Sequence, residues 1–225
     1  MLKSTLLIAI VLFFTPIQAS QSDAENDGWP AWALAEEDVA ARIAKVNEGD
    51  LDFLVQEPSG PVHYHQNRVI VTPSSLHSGW VKLEQCHRHL DQVAQAQILF
   101  HPERSRALKV TRFENMQSAV AVQNTIQLRN VEAASEVCLS GQTQALVEIG
   151  EGVYELRNGP FMRRFLDGYY PMRVSLRIEF PPQLTLADFS PLRQPGFAVS
   201  STPGRVDAEA VFEGQLRTQF RFLAE

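Results

Sequence analysis

All six histidines of the chain, His63, His65, His77, His87, His89 and His101, fall within the single stretch VHYHQNRVIVTPSSLHSGWVKLEQCHRHLDQVAQAQILFH. Imidazole nitrogens bind zinc and copper and carry protons near neutral pH. Residues i and i+2 of an extended strand point the same way. His63 and His65 therefore form one candidate ligand pair, and His87, His89 and Asp91 form a second row. A zinc or copper site on His63, His65, His87 and His89 is one expectation. The competing one is a set of separate imidazoles on the wet faces of strands, which needs no metal. A metal site requires at least three ring nitrogens at about 2.0–2.2 Å from one centre.

A second group of chemically capable residues lies in RNGPFMRRFLDGYYPMRV, from Arg157 to Val174. Gly159 and Pro160 are expected to end a strand. FMRRFL is expected to form a helical turn that places Phe161 and Phe165 together at i and i+4. Arg163, Arg164, Tyr169, Tyr170 and Arg173 are the candidate binding residues. Arginine and tyrosine are enriched where interfaces concentrate their energy, and a guanidinium suits carboxylate or phosphate through paired hydrogen bonds. The alternative is that the aromatics plug one end of the fold while the arginines pair with carboxylates.

Catalytic constellations are incomplete. HRHLD resembles the opening of the HxHxDH run of metallo-β-lactamase-type hydrolases. Gln92 stands where that run needs histidine, however, and no histidine follows His101. SLHSG brings Ser75, His77 and Ser78 together without an acid, and there is no GxSxG elbow or glycine-rich phosphate loop. A hydrolase ranks third among the function classes.

The two cysteines, Cys86 and Cys138, are expected to form a disulfide with Cα atoms about 4.4–6.8 Å apart. A thiolate metal site beside His87 is the alternative. Strand alternation puts Cys86 opposite Val81 and Leu83, and Cys138 opposite Val137 and Leu139. Both thiols then leave the apolar faces of their strands. Either the two strands are neighbours joined on an outer face, or another segment covers that face.

The elements that position these residues follow from charge and periodicity. Lys3, the apolar run LLIAIVLFF and the small-residue exit TPIQAS read as a signal peptide over residues 1–19. The run is too short to span a bilayer, and no other segment of the mature chain could span one as a helix. The expected location is periplasmic or secreted. Residues 20–61 read as a polar leader and a docked amphipathic helix with Trp32, Val39, Ile43 and Val46 on one face. From 62 to 225 the period is two, most clearly in MRVSLRIEF and LRTQFRF, with turn signals between short runs. The predicted fold is therefore mainly β, an antiparallel β-sandwich of immunoglobulin-like general type, preceded by one helix. A formal net charge of −6 argues against a nucleic-acid partner. The expected function is that of an exported, non-enzymatic envelope protein. It would bind a protein or an anionic envelope component through the Arg/Tyr segment. A zinc- or copper-binding protein is the runner-up.

Overall fold

The computed structural model describes residues 47–56 and 58–224. The expected signal peptide and the expected docked helix up to residue 46 lie outside them. The chain first contributes β1 (Asp52–Phe53), β2 (His63–Ile70), a short helix α1 (Pro73–Ser78), β3 (Trp80–Arg88) and β4 (Val93–Leu99). Two long strands follow, β5 (Ser105–Val122) and β6 (Thr125–Gln144), then β7 (Leu146–Gly150), β8 (Val153–Phe161), β9 (Arg163–Phe165) and β10 (Gly168–Tyr170). The last five are β11 (Met172–Glu179), β12 (Leu184–Ser190), β13 (Phe197–Thr202), β14 (Arg205–Glu213) and β15 (Leu216–Ala224).

The protein is mainly β with several sheets. A nine-stranded sheet runs β1-β14-β11-β2-β3-β6-β4, with β13 added at β14 and β5 at β6. A four-stranded sheet has the order β12-β15-β8-β7, and β9 and β10 form a separate two-stranded hairpin. Alternation explains why the two larger sheets pack together. In β11, Met172, Val174, Leu176 and Ile178 are buried, while Arg173, Ser175, Arg177 and Glu179 face outward. In β15, Leu216, Phe220 and Phe222 are buried on the inner face. These residues join Val69, Leu83, Leu156, Val206 and Phe212 in one core that draws on both sheets. Burying one such side chain contributes about 1.5–3 kcal/mol, so this face sets the register of every strand that reaches it.

Three features depart from the sequence expectation. The large sheet is not wholly antiparallel: β2 and β11 run parallel from Met172↔His63 to Glu179↔Ile70. A long excursion through β3–β10 separates them in sequence, as a parallel pair requires. The sheet also begins before residue 62, because β1 pairs with the end of β14 at Asp52↔Glu213 and Phe53↔Phe212. TPSS, one of the turn signals between the short runs, instead starts α1, where Thr72 and Ser75 form a reciprocal capping box. Gly79 ends that helix at φ 73°, and a Cβ there would meet the Leu146 carbonyl oxygen at 2.7 Å.

A smaller apolar cluster, with Ile126, Leu128, Val131 and Val137 at its centre, holds β4, β5 and β6 together. The register of β5 against β6 shifts three times, after Arg106, Val110 and Glu114. Such bulges twist a long edge and discourage pairing with other chains.

Candidate functional site

The site begins with two adjacent strands. In β2, His63, His65 and Asn67 are in phase with Val69; His63 is half-buried and the other three are buried. In β3 the residues in phase with Val81 and Leu83 are Gln85 and His87, also buried. Pairing of the strands sets His65 directly against His87 and Asn67 against Gln85. The expectation of histidines on wet faces is thus corrected for His65 and His87. They point inward because they share the parity of the valines and leucine of their own strands. The row expected from His87 and His89 also fails. His89 follows the end of β3 with φ 53°, a left-handed conformation that turns its side chain into solvent.

The result is a stack of imidazoles. The His65 and His87 rings lie 4.1 Å apart at 19° to one another. His63 Nε2 is 3.0 Å from His87 Nδ1, so one of these two nitrogens carries the shared proton. Phe161, the last residue of β8, closes the stack by packing edge-on against His65 at 5.3 Å. His65 Nε2, His87 Nε2 and Asn67 Oδ1 have no hydrogen-bond partner among the described residues. The remaining histidines lie elsewhere, His77 in α1 and His101 in an exposed turn.

Burial dominates the electrostatics here, because the imidazolium form loses its hydration. It pushes His63 down to about 4, where Asp91 opposes the shift and Arg163 reinforces it. It pushes His65 down to about 3, assisted by repulsion from His63. His87 is held well below the ordinary histidine range by burial and then by His65 and His63. All three are neutral at physiological pH.

Asp91 and Arg163 connect this stack to the second candidate segment. FMRRFL is not a helical turn. Phe165 pairs with Gly168, Tyr169 with Arg164 and Tyr170 with Arg163, so β9 and β10 form a hairpin whose two-residue loop is Leu166–Asp167. Asp167 and Gly168 are turn-favouring residues at the end of that loop, and Gly168 takes φ 150°, which suits a chain reversal here. Successive residues of β9 then face opposite ways. Arg163 turns toward the body, where its Nε donates to Asp91 Oδ2 at 3.0 Å and Nη2 donates to the other carboxylate oxygen. Its Nη1 donates to the Pro171 carbonyl at 3.1 Å.

Arg164 is exposed, lies 5.5 Å from the Tyr169 ring and makes no ion pair among the described residues. Phe161 is buried, whereas Met162 and Phe165 are 40 % and 36 % exposed and Leu166 is fully exposed. The expected pairing of Phe161 with Phe165 on one face is therefore corrected. Tyr170 donates to Asp167 at 2.6 Å, and Tyr169 accepts from Gln215 at 3.1 Å. Arg173 is remote in role, lying on the outer face of β11 against Glu209 of β14. The sequence reading missed Asp91 as the hairpin's anchor and Leu166 as its tip. Asp167-Gly168 would have placed the reversal to within one residue. No local signal marks the pairing of Asp91 with Arg163.

Cys86 and Cys138 form a disulfide with Cα atoms 4.1 Å apart, slightly closer than expected. The bond joins directly opposite positions of the neighbouring strands β3 and β6, on the face away from the core. Among the described residues, the one trio whose ligand atoms lie within 4.8 Å of one another is Cys86, Glu136 and Cys138. Its sulfurs are already bonded to each other, and the histidine nitrogens do not make such a trio.

No protein-family model matches the chain, and no curated protein matches it. Solved structures that resemble it include an M1 zinc metallopeptidase mutant from Deinococcus radiodurans bound to a Tyr-Ser-Ala substrate. The TM-score is 0.41 at 9 % identity, over 79 % of this chain and 43 % of that one. A two-domain M1 zinc metallopeptidase mutant bound to L-tryptophan gives a TM-score of 0.40 at 10 % identity, over 79 % and 44 %. The chain thus spans less than half the length of either.

Proposed function

We propose that this is an exported, non-catalytic binding protein of the cell envelope whose contact element is the β9–β10 hairpin. In this reading an immunoglobulin-like sandwich is the scaffold, and the hairpin projects from it as a small prong. The observation that carries the proposal is the composition of the tip. Met162 and a fully exposed Leu166 flank the strand that carries Arg164, whose guanidinium makes no ion pair among the described residues, and Phe165 is 36 % exposed on the opposite face beside Tyr170. Apolar anchors next to an arginine are the residues that supply most of the energy at interfaces. The partner that fits is a protein with an apolar pocket rimmed by carboxylates; an anionic envelope component is the alternative partner.

Arg163, Tyr169 and Tyr170 have a different part. They hold the prong at a fixed angle, which lowers the ordering cost of binding. Replacing Phe165 and Leu166 together by serine removes the anchors without touching the core. Co-purification with envelope components should fall at least about tenfold, with the urea midpoint unchanged. Unchanged co-purification would exclude the hairpin as the contact element.

A second reading, a zinc- or copper-binding protein, draws on the buried, unpartnered Nε2 atoms of His65 and His87. The stacked rings count against it, because parallel imidazoles 4.1 Å apart do not aim their nitrogens at one point. Stoichiometric zinc or copper surviving dialysis of the purified protein would reverse this preference.

A further inference from the structure

We propose that the Cys86–Cys138 disulfide is an exchange site, opened in the folded protein by a dithiol that enters the concave outer face of the large sheet. This inference is independent of the hairpin. The two cysteines lie in an open groove of about 810 Å³, walled by residues such as Tyr64, Arg68, Lys109, Ser175 and Arg177. The bond therefore borders this groove on the side away from the main core, with Cys86 half-buried and Cys138 7 % exposed.

The surrounding sheet does not depend on the bond for its register. β3 and β6 are paired without interruption from Trp80↔Gln144 to Arg88↔Glu136, and β6 is held on its other side by β5. Opening the bond leaves that ladder in place. The strands also put charge beside one sulfur and not the other. Arg112 of β5 sits directly opposite Cys138, which in turn sits opposite Cys86, so the three form one row across three strands. Arg112 Nη2 is 3.8 Å from Cys138 Sγ, and Glu136 Oε1 is 3.2 Å from the same atom. Both Arg88 and Arg112 pair with Glu136 and offset its charge.

That asymmetry sets the direction of exchange. A thiolate of the incoming dithiol attacks the sulfur of Cys86, the less buried of the two residues. The S–S bond breaks and its electron pair passes to Cys138 Sγ, where the Arg112 guanidinium stabilises the departing thiolate. The second thiol of the partner then attacks the mixed disulfide and releases Cys86. Two electrons and two protons pass to the protein, and the partner leaves as a disulfide. The reduced state has a partner in either protonation form. Cys138 accepts from Arg112 as a thiolate and donates to Glu136 as a thiol, and a disulfide sulfur cannot donate.

The test uses the folded full chain with dithiothreitol as the dithiol and reduced glutathione as a monothiol trap, read by acid quench, alkylation and mass spectrometry. Reduction should be first order in dithiothreitol, faster than global unfolding, and should leave the far-ultraviolet circular dichroism intact. The glutathione adduct should sit on Cys86. Arg112→Gln should slow reduction about three- to tenfold through the poorer leaving group, while Arg112→Lys keeps most of the rate. A rate independent of dithiothreitol and equal to the unfolding rate would overturn the proposal. So would an adduct on Cys138, or a wild-type rate in Arg112→Gln.

Discussion

Lowering the pH from 7 to 4 should remove on the order of 5 kcal/mol of folding free energy, well before the carboxylates dominate. The cause is the imidazole stack. In the unfolded chain His63, His65 and His87 titrate near the ordinary value of about 6.5. In the folded protein burial holds His63 at about 4 and His65 at about 3, with His87 well below its usual range. A folded-state value below the unfolded one means that the unfolded chain takes up protons first as the solution is acidified. Stability is therefore fully present above pH 6.5 and is lost as pH falls toward the folded values. Glu155, Glu179 and Asp207, lowered chiefly by hydrogen bonds from Arg157, Arg68 and Arg205, add a further loss only below the carboxylate range. Urea titrations at closely spaced pH values would trace the decline. Replacing His65 by leucine and His87 by phenylalanine should make it shallower between pH 6.5 and 4.5, leaving the part due to His63. A wild-type profile that is already flat from pH 7 to 5 would contradict the buried stack.

Phe161→Ala should cost about 3–5 kcal/mol, the range for truncating a buried aromatic side chain. Phe161 is 7 % exposed, pairs with Leu216 across β8 and β15, and closes the stack against His65. It is also the last core residue before the hairpin, so the vacated space lies beneath the prong. The same substitution at Phe165, four residues on and 36 % exposed, should change stability by less than about 1 kcal/mol. Equal losses at both positions in a urea titration would mean that the hairpin packs as part of the core.

Much of the scaffold was legible because its cause is local. Alternation in MRVSLRIEF and LRTQFRF marked β11 and β15 and named their inward residues. The parity of Cys86 against Val81 and Leu83 left only adjacent strands or a covered face, and the strands are adjacent. The same parity places His87 inward, one residue from an outward cysteine. Asn67 and Gln85 hide that signal by interrupting the apolar alternation with buried polar residues. The hairpin was misassigned because Phe161 and Phe165 have helical spacing, whereas the turn residues Asp167 and Gly168 and a partly buried Arg163–Asp91 pair favour strands. The parallel pairing of β2 with β11 and the meeting of Asp91 with Arg163 depend on how distant segments close. No spacing within either segment encodes that.

The claim that the hairpin tip is the contact element is tested most directly by photo-cross-linking from its apex. A photoreactive residue in place of Leu166, in the exported full chain with the envelope intact, should give a discrete adduct on irradiation. The same residue in place of Leu192, which is 75 % exposed between β12 and β13, should give none. Serine at Phe165 should weaken the adduct from position 166 without altering the protein's abundance. Equal adducts from both positions, or an adduct from position 192 alone, would contradict a contact made through the β9–β10 tip.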